Sequence, residues 1–138
     1  MDNIFLDTDV ILDFLLNREP FSNHMDQLFI LSEKGNVNFY ASSLSFNNFY
    51  YISRKTLGHK KAVKILQELI DTIHVLNVGK EEIKKALDGD FADFEDGLQE
   101  AAALNVFDLK AILTRNKKDF KNSVFKILSP EEYLGLNE

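Results

Sequence analysis

An α/β fold in three layers, with helices on both faces of a central parallel sheet of four to five strands, follows from two observations. Short apolar runs alternate with stretches of helical spacing along the whole chain, and glycines and prolines punctuate the boundaries between them. The first apolar run, 3–6, ends at Asp7, after which Val10, Ile11, Phe14 and Leu15 recur at helical spacing. Beyond Pro20, Met25, Leu28, Phe29 and Leu31 predict a helix over 21–34 that Gly35 stops. Val37 to Ala41 is a second strand. Phe46, Phe49, Tyr50 and Ser53 mark a helix over 43–57 ended by Gly58, and another helix runs over 59–70. A third strand is predicted at 73–78, a helix at 80–87, a turn at Gly89-Asp90 and a helix over 93–104. Strands at 111–114 and 127–128 complete the sheet, and Pro130 opens a last helical turn at its first position.

The 138 residues suit one domain, 1–138, with no internal repeat or linker. A chain with 45% hydrophobic and 28% charged residues is an ordinary globular one, and the absence of cysteine excludes disulfides, thiol nucleophiles and thiolate metal sites. The opening Met1-Asp2-Asn3 lacks the positive charge of a signal peptide, and no apolar run approaches the roughly 18 residues of a membrane span. A cytoplasmic location and no membrane partner are therefore expected. The formal charge of −6 weighs against non-specific binding to nucleic acid, so any phosphate substrate needs local compensation.

Ligands of open parallel sheets sit beyond the carboxyl ends of the strands. There the first strand delivers Asp7, the second Ser42 and Ser43, and the fourth Thr114, Arg115, Asn116 and Asp119. On the helix from Asp93, the residues Asp93, Asp96 and Glu100 share a face opposite the stripe Phe94, Leu98, Ala101 and Ala102. Crowded carboxylates repel one another, and a hard divalent cation relieves that repulsion, so Mg2+ or Mn2+ is the implied ion. Zinc is disfavoured, since His24, His59 and His74 are scattered. Asp93 also reads as a helix N-cap, with Asp96 completing a near capping box. Asp7, a carboxylate at the end of a buried strand, is costly unless something uses it. Asp9 reads equally as a solvated edge or an outer metal shell, and Asp13 as plain surface.

Three segments, Phe5-Leu-Asp-Thr-Asp-Val-Ile-Leu-Asp-Phe-Leu, Asp93-Phe-Glu-Asp-Gly-Leu-Gln-Glu-Ala-Ala and Leu113-Thr-Arg-Asn-Lys-Lys-Asp-Phe, resemble in order the signature regions of PIN domains, in particular the small VapC-type toxins. The resemblance runs from residue 3 to Leu134. It implies a PIN-like α/β/α nuclease that binds magnesium or manganese through acids at its strand ends and cleaves single-stranded RNA as the toxin of a toxin–antitoxin pair. By the same resemblance, Asp7 is the first-strand acid and Asp96 the acid of the later helix, with Asp93 one turn ahead. Asn116 stands where the family often has an acid, with Asp119 three residues on. Asn48, in Ser45-Phe-Asn-Asn48, occupies the place of a glutamate, and an amide there binds a cation without adding charge. Arg115, Lys117 and Lys118 are expected to hold the RNA backbone, and Ser43 to contact substrate. A homodimer and a small antitoxin protein are the implied partners.

Two other functions fit parts of the sequence. Asp7-Thr-Asp9 matches the nucleophile and acid of a haloacid dehalogenase-like phosphatase, with Gly89-Asp90 imitating its last acidic motif. Replacement of two acids by Asn48 and Asn116 also suits a catalytically weakened PIN fold that binds RNA or protein without cutting it.

Overall fold

Strand β1 (Asp2–Leu6) turns Ile4 and Leu6 to one side and Phe5 to the other, and all three are buried. A strand apolar on both sides needs cover on both, and the rest of the chain supplies it. The computed structural model describes residues 1–136. After β1 come α1 (Thr8–Leu15), α2 (Phe21–Glu33), β2 (Val37–Ser42), α3 (Ser43–Leu57), α4 (His59–Ile70) and β3 (His74–Leu76). They are followed by α5 (Lys80–Asp88), α6 (Phe94–Ala103), β4 (Leu109–Leu113), β5 (Ile127–Leu128) and α7 (Pro130–Gly135).

The strands form one parallel sheet in the order β3-β2-β1-β4-β5. Ile4 and Leu6 join Phe39, Ala41, Ala111 and Leu113 in a core roofed by α1, α2, α3, α4 and α7, through residues such as Val10, Leu28, Phe49, Leu69 and Tyr133. On the opposite face Phe5 and Ile112 pack against Ala102, Ala103 and Phe120. The result is the expected three-layer α/β/α architecture, with five strands.

The helix limits follow from local chemistry. Gly58 ends α3 at φ +82°, a left-handed conformation that costs glycine little and other residues more. Ser129 and Glu132 cap α7 reciprocally, and Pro130 takes its first turn. Strand β3 is shorter than the predicted 73–78, because beyond Leu76 the Val78 amide donates to Ser43 Oγ at 3.3 Å instead of extending the ladder. The segment after β4 contains a 3-10 turn, Lys117–Phe120, that periodicity did not reveal; its Phe120 is buried.

The order of strands places the site. From β1 the chain winds outward through β2 and β3, then returns to lay β4 on the other side of β1. Between β1 and β4 the winding reverses, and such a reversal opens a crevice at the carboxyl ends of the two strands. Asp7 follows β1 there, and Thr114, Arg115 and Asn116 follow β4.

Candidate active site

Asp7 is the N-cap of α1, a position whose backbone leaves the strand and whose carboxylate accepts the first free amide of the helix. Its Oδ1 accepts from the Thr8 amide at 2.8 Å, and its Oδ2 from the Thr114 hydroxyl at 2.8 Å. Those bonds fix the side chain across the crevice from β1 to β4. Burial raises the Asp7 pKa to about 7, helped by the Asp9 charge and, less, by Asp96, against the two hydrogen bonds that lower it.

Helix α6 supplies the opposite wall. Asp93 is its N-cap, with Oδ1 accepting from the Asp96 amide at 3.2 Å, so the helix-capping role expected of it is observed. Asp96, in the first turn, has its pKa raised to about 6 by burial and then by the charges of Asp93, Asp119, Glu95 and Asp9. Together with Asp7, Asp9 and Asn116, these side chains line an open cleft of about 290 Å³. The sequence-predicted Asp7, Asp93, Asp96, Asn116 and Asp119 therefore meet in one place.

Two further acids belong there. Asp9 lies on the cleft wall, where its Oδ2 accepts from Asn116 Nδ2 at 2.8 Å while its buried Oδ1 has no hydrogen-bond partner among the described residues. Burial raises its pKa, opposed chiefly by the nearby Arg115. Glu95, which sequence reasoning passed over, also lines the cleft, and its Oε1 accepts from Asn48 Nδ2 at 3.4 Å. Asn48 thus reaches the cluster through Glu95. Behind Asp7, Thr8 Oγ1 and Ser45 Oγ share a hydrogen bond of 2.9 Å, and Gln99 Nε2 donates to both, tying α1, α3 and α6 together.

Several expected roles are corrected. Asp13 is not surface: it is fully buried, and Arg115 donates to it from Nε at 2.6 Å and Nη2 at 3.1 Å, with Arg18 at 3.8 Å. Arg115 thus has Nε and Nη2 engaged with Asp13. Lys117 pairs with Glu132 at 3.0 Å. Ser43, engaged with the Val78 amide, does not line the cleft. Glu100 does not join Asp93 and Asp96 in the cleft: it is buried and accepts from the Ser123 hydroxyl and, at 2.9 Å, from the Val124 amide. Phe94, placed in the apolar stripe, is 48% exposed. Asp90, the last acid of the phosphatase pattern, lines a different hollow with Glu100 and Asn122.

Arg115→Ala, which takes both hydrogen bonds from buried Asp13 and leaves it only Arg18 at 3.8 Å, is expected to cost about 3 kcal/mol, the lower range for breaking a buried pair. Chemical denaturation checks this; a loss under about 1 kcal/mol, the usual ceiling for an exposed pair, would show that the pair behaves as a surface one.

All donors in the cleft are oxygens or amides, the set that hard divalent cations take. No group of three or more Asp, Glu or His side chains among the described residues stands arranged to hold an ion as it is. Instead Asp7, Asp9, Asp93 and Glu95 accept from protein donors. The Asp9 Oδ1 is buried without a hydrogen-bond partner among the described residues, and burial, then neighbouring carboxylates, raise the pKa values of Asp7 and Asp96. The residues present fit magnesium or manganese in chemistry.

A PIN domain family model matches residues 3–118, and the chain belongs to that family. It is 28% identical over 137 residues to Ribonuclease VapC1 of Aquifex aeolicus (strain VF5), covering 96% of this chain and 93% of that one. Its fold is similar to that of a toxin–antitoxin complex from Klebsiella pneumoniae, with a TM-score of 0.68 at 17% identity over 92% of this chain and 97% of that chain. It is also similar to DNA-bound VapBC from Salmonella typhimurium, with a TM-score of 0.67 at 16% identity over 94% and 99%.

Proposed function

We propose that the protein is a divalent-metal-dependent endoribonuclease that cuts single-stranded RNA, and that it is the toxin of a toxin–antitoxin pair. The observation that carries this is the meeting of Asp7, Asp9, Asp93 and Asp96 in one open cleft at the β1/β4 reversal. Family membership and the relationship to an Aquifex ribonuclease support it. The phosphatase alternative is not favoured, since Asp90 stands apart from Asp7.

Asp7, Asp96 and Asp93, with Asp9 beside them, are the residues that would hold Mg2+ or Mn2+. Such an ion supplies polarisation of the phosphate and a water more acidic than bulk. The chain's own residues prepare for it: Thr114 and the Thr8 amide orient Asp7, and Asn116 orients Asp9. Without an ion the cleft repels an RNA backbone, so a cation among the acids is what would let the phosphate approach. A small antitoxin that inserts a lysine or arginine into the same acids would stop the reaction, and we infer a homodimer as the working form. No described helix is long and apolar enough to cross a membrane.

The test is cleavage of an end-labelled, unstructured RNA pool. Cutting in manganese or magnesium that disappears in EDTA is the expected result. Cutting undiminished in EDTA would overturn the metal-dependent mechanism, and intact RNA under every metal condition would leave the non-cleaving PIN fold as the better description.

A further inference from the structure

Beside the acidic cleft lies a second hollow, of about 280 Å³, walled by Pro20, Phe21, His24, Arg115, Pro130 and Glu131. Arg115, on the wall of the hollow, precedes Asn116, which lines the cleft, and its charge acts on Asp9 of the cleft, so the hollow stands beside the acids at the end of β4. We propose that this hollow is a base subsite, which receives the nucleobase of a nucleotide next to the scissile phosphate and favours a base with an exocyclic amino group. The proposal rests on the ribonuclease function above and adds to it a source of sequence preference.

Four observations carry it. Phe21, a large aromatic residue at the start of α2, is 38% exposed, and the Arg115 guanidinium lies over its ring at 4.0 Å from the centroid. Unpaired RNA bases stack on aromatic rings and on guanidinium planes; here ring and guanidinium cover one face of each other, which leaves the outer face of the stacked pair for a base. The guanidinium is held through two of its nitrogens by the fully buried Asp13, so its plane is set before any ligand arrives. The volume stands just below the range of about 300–1,000 Å³ usual for small-molecule clefts, which suits one ring system.

Charge decides between a base and a phosphate. Asp13 already neutralises Arg115, and Glu131 adds a carboxylate to the rim. A phosphate meets that carboxylate and finds only His24 and the Ser129 hydroxyl as further polar side chains on the wall, whereas amino N–H groups find an acceptor in Glu131. Guanine, adenine and cytosine carry an exocyclic amino group; the N–H on the pairing edge of uracil sits between two carbonyl oxygens, which repel a carboxylate.

The experiment is digestion of a randomised single-stranded RNA pool in manganese, with the cut ends sequenced, for the wild type, Phe21→Ala, Phe21→Leu and Phe21→Tyr. In the wild type one position flanking the cut is expected to be depleted in uracil. Phe21→Ala should flatten that position and lower kcat/KM on the preferred sequence about tenfold to a hundredfold, the effect of losing one base stack. Phe21→Leu, which keeps the apolar volume, should flatten it too, and Phe21→Tyr should restore it. Cutting by Phe21→Ala with the wild-type profile and rate would overturn the subsite and leave the nuclease standing. A Phe21→Leu enzyme equal to Phe21→Tyr would likewise overturn it, by showing that the ring only packs. Absence of any cutting by the wild type would instead overturn the ribonuclease function, and the subsite with it.

Discussion

Asp7→Asn is expected to lower RNA cleavage about a thousandfold while leaving the protein folded and, in EDTA above pH 7, at least as stable as the wild type. The two halves of that result have different causes. An interaction worth several kcal/mol in the transition state is lost with a charged cation ligand, and about 4 kcal/mol corresponds to roughly three powers of ten in rate. Meanwhile the amide is the size of the carboxylate and still accepts a hydrogen bond from Thr8 or Thr114, and the penalty of burying a charge is gone. Asp96→Asn should act in the same direction. As a control for net charge, Asp90→Asn, outside the cleft, should cut like the wild type. Single-turnover cleavage and thermal melting check the two halves together. A folded Asp7→Asn protein cutting within tenfold of the wild type would remove Asp7 from the machinery.

The metal-free protein is expected to lose stability as the pH rises from about 4 to 7. Asp7 ionises near 3.8 in an unfolded chain and at about 7 in the folded one. Between those values the folded state holds a proton that the unfolded state has released, so raising the pH favours unfolding. Below about 4 both states are protonated and the difference vanishes; above 7 the full penalty stands. For Asp7 alone it is about 4 kcal/mol. Asp96, raised to about 6 but more exposed, adds less because solvent screens it. Asp2 and Glu132, whose pKa values are lowered by Tyr133 and by the Ser129 amide respectively, act with the opposite sign at more acid pH. Melting in EDTA should therefore give a lower midpoint at pH 8 than at pH 5, with a shallower fall in Asp7→Asn. Millimolar manganese should restore the midpoint at pH 8 by binding the ionised acids of the folded state. An EDTA midpoint that is flat or rising over this range in the wild type would contradict the buried charge.

The helices and the meeting of acids could be read from the chain because both depend on local signals. Gly35 and Gly58 end helices wherever they sit in the fold, and an acid that closes an apolar strand stands at the strand's carboxyl end whatever surrounds it. What escaped was pairing across long separations. Asp13 looked like surface by helical spacing, yet its partner Arg115 lies 102 residues away. The signal available was its place between Leu12 and Phe14, inside an apolar stretch with no solvated side. Glu100 shares a helical face with Asp96, but Ser123 and Val124, more than twenty residues on, engage both of its oxygens and it does not line the cleft. Glu95 was overlooked because it stands between two acids already chosen, and only the arrival of α3 with Asn48 shows which way it faces.

The hydrogen bond from Thr114 to Asp7 spans 107 residues, and Asn116 reaches Asp9 across the same distance. During synthesis, then, a ribosome that has delivered β1, β2 and β3 has made a chain with Asp7 but without Thr114 to orient it, without the wall that α6 provides, and without β4 to complete the crevice. Contacts of such long range form late, since the loop between them must close first. A domain assembled in this order has no complete acidic cleft until its last third, from α6 onward, is in place. An antitoxin that covers the cleft consequently has nothing to inhibit until the whole domain exists, and recognition of the finished crevice is recognition of the only form able to cut.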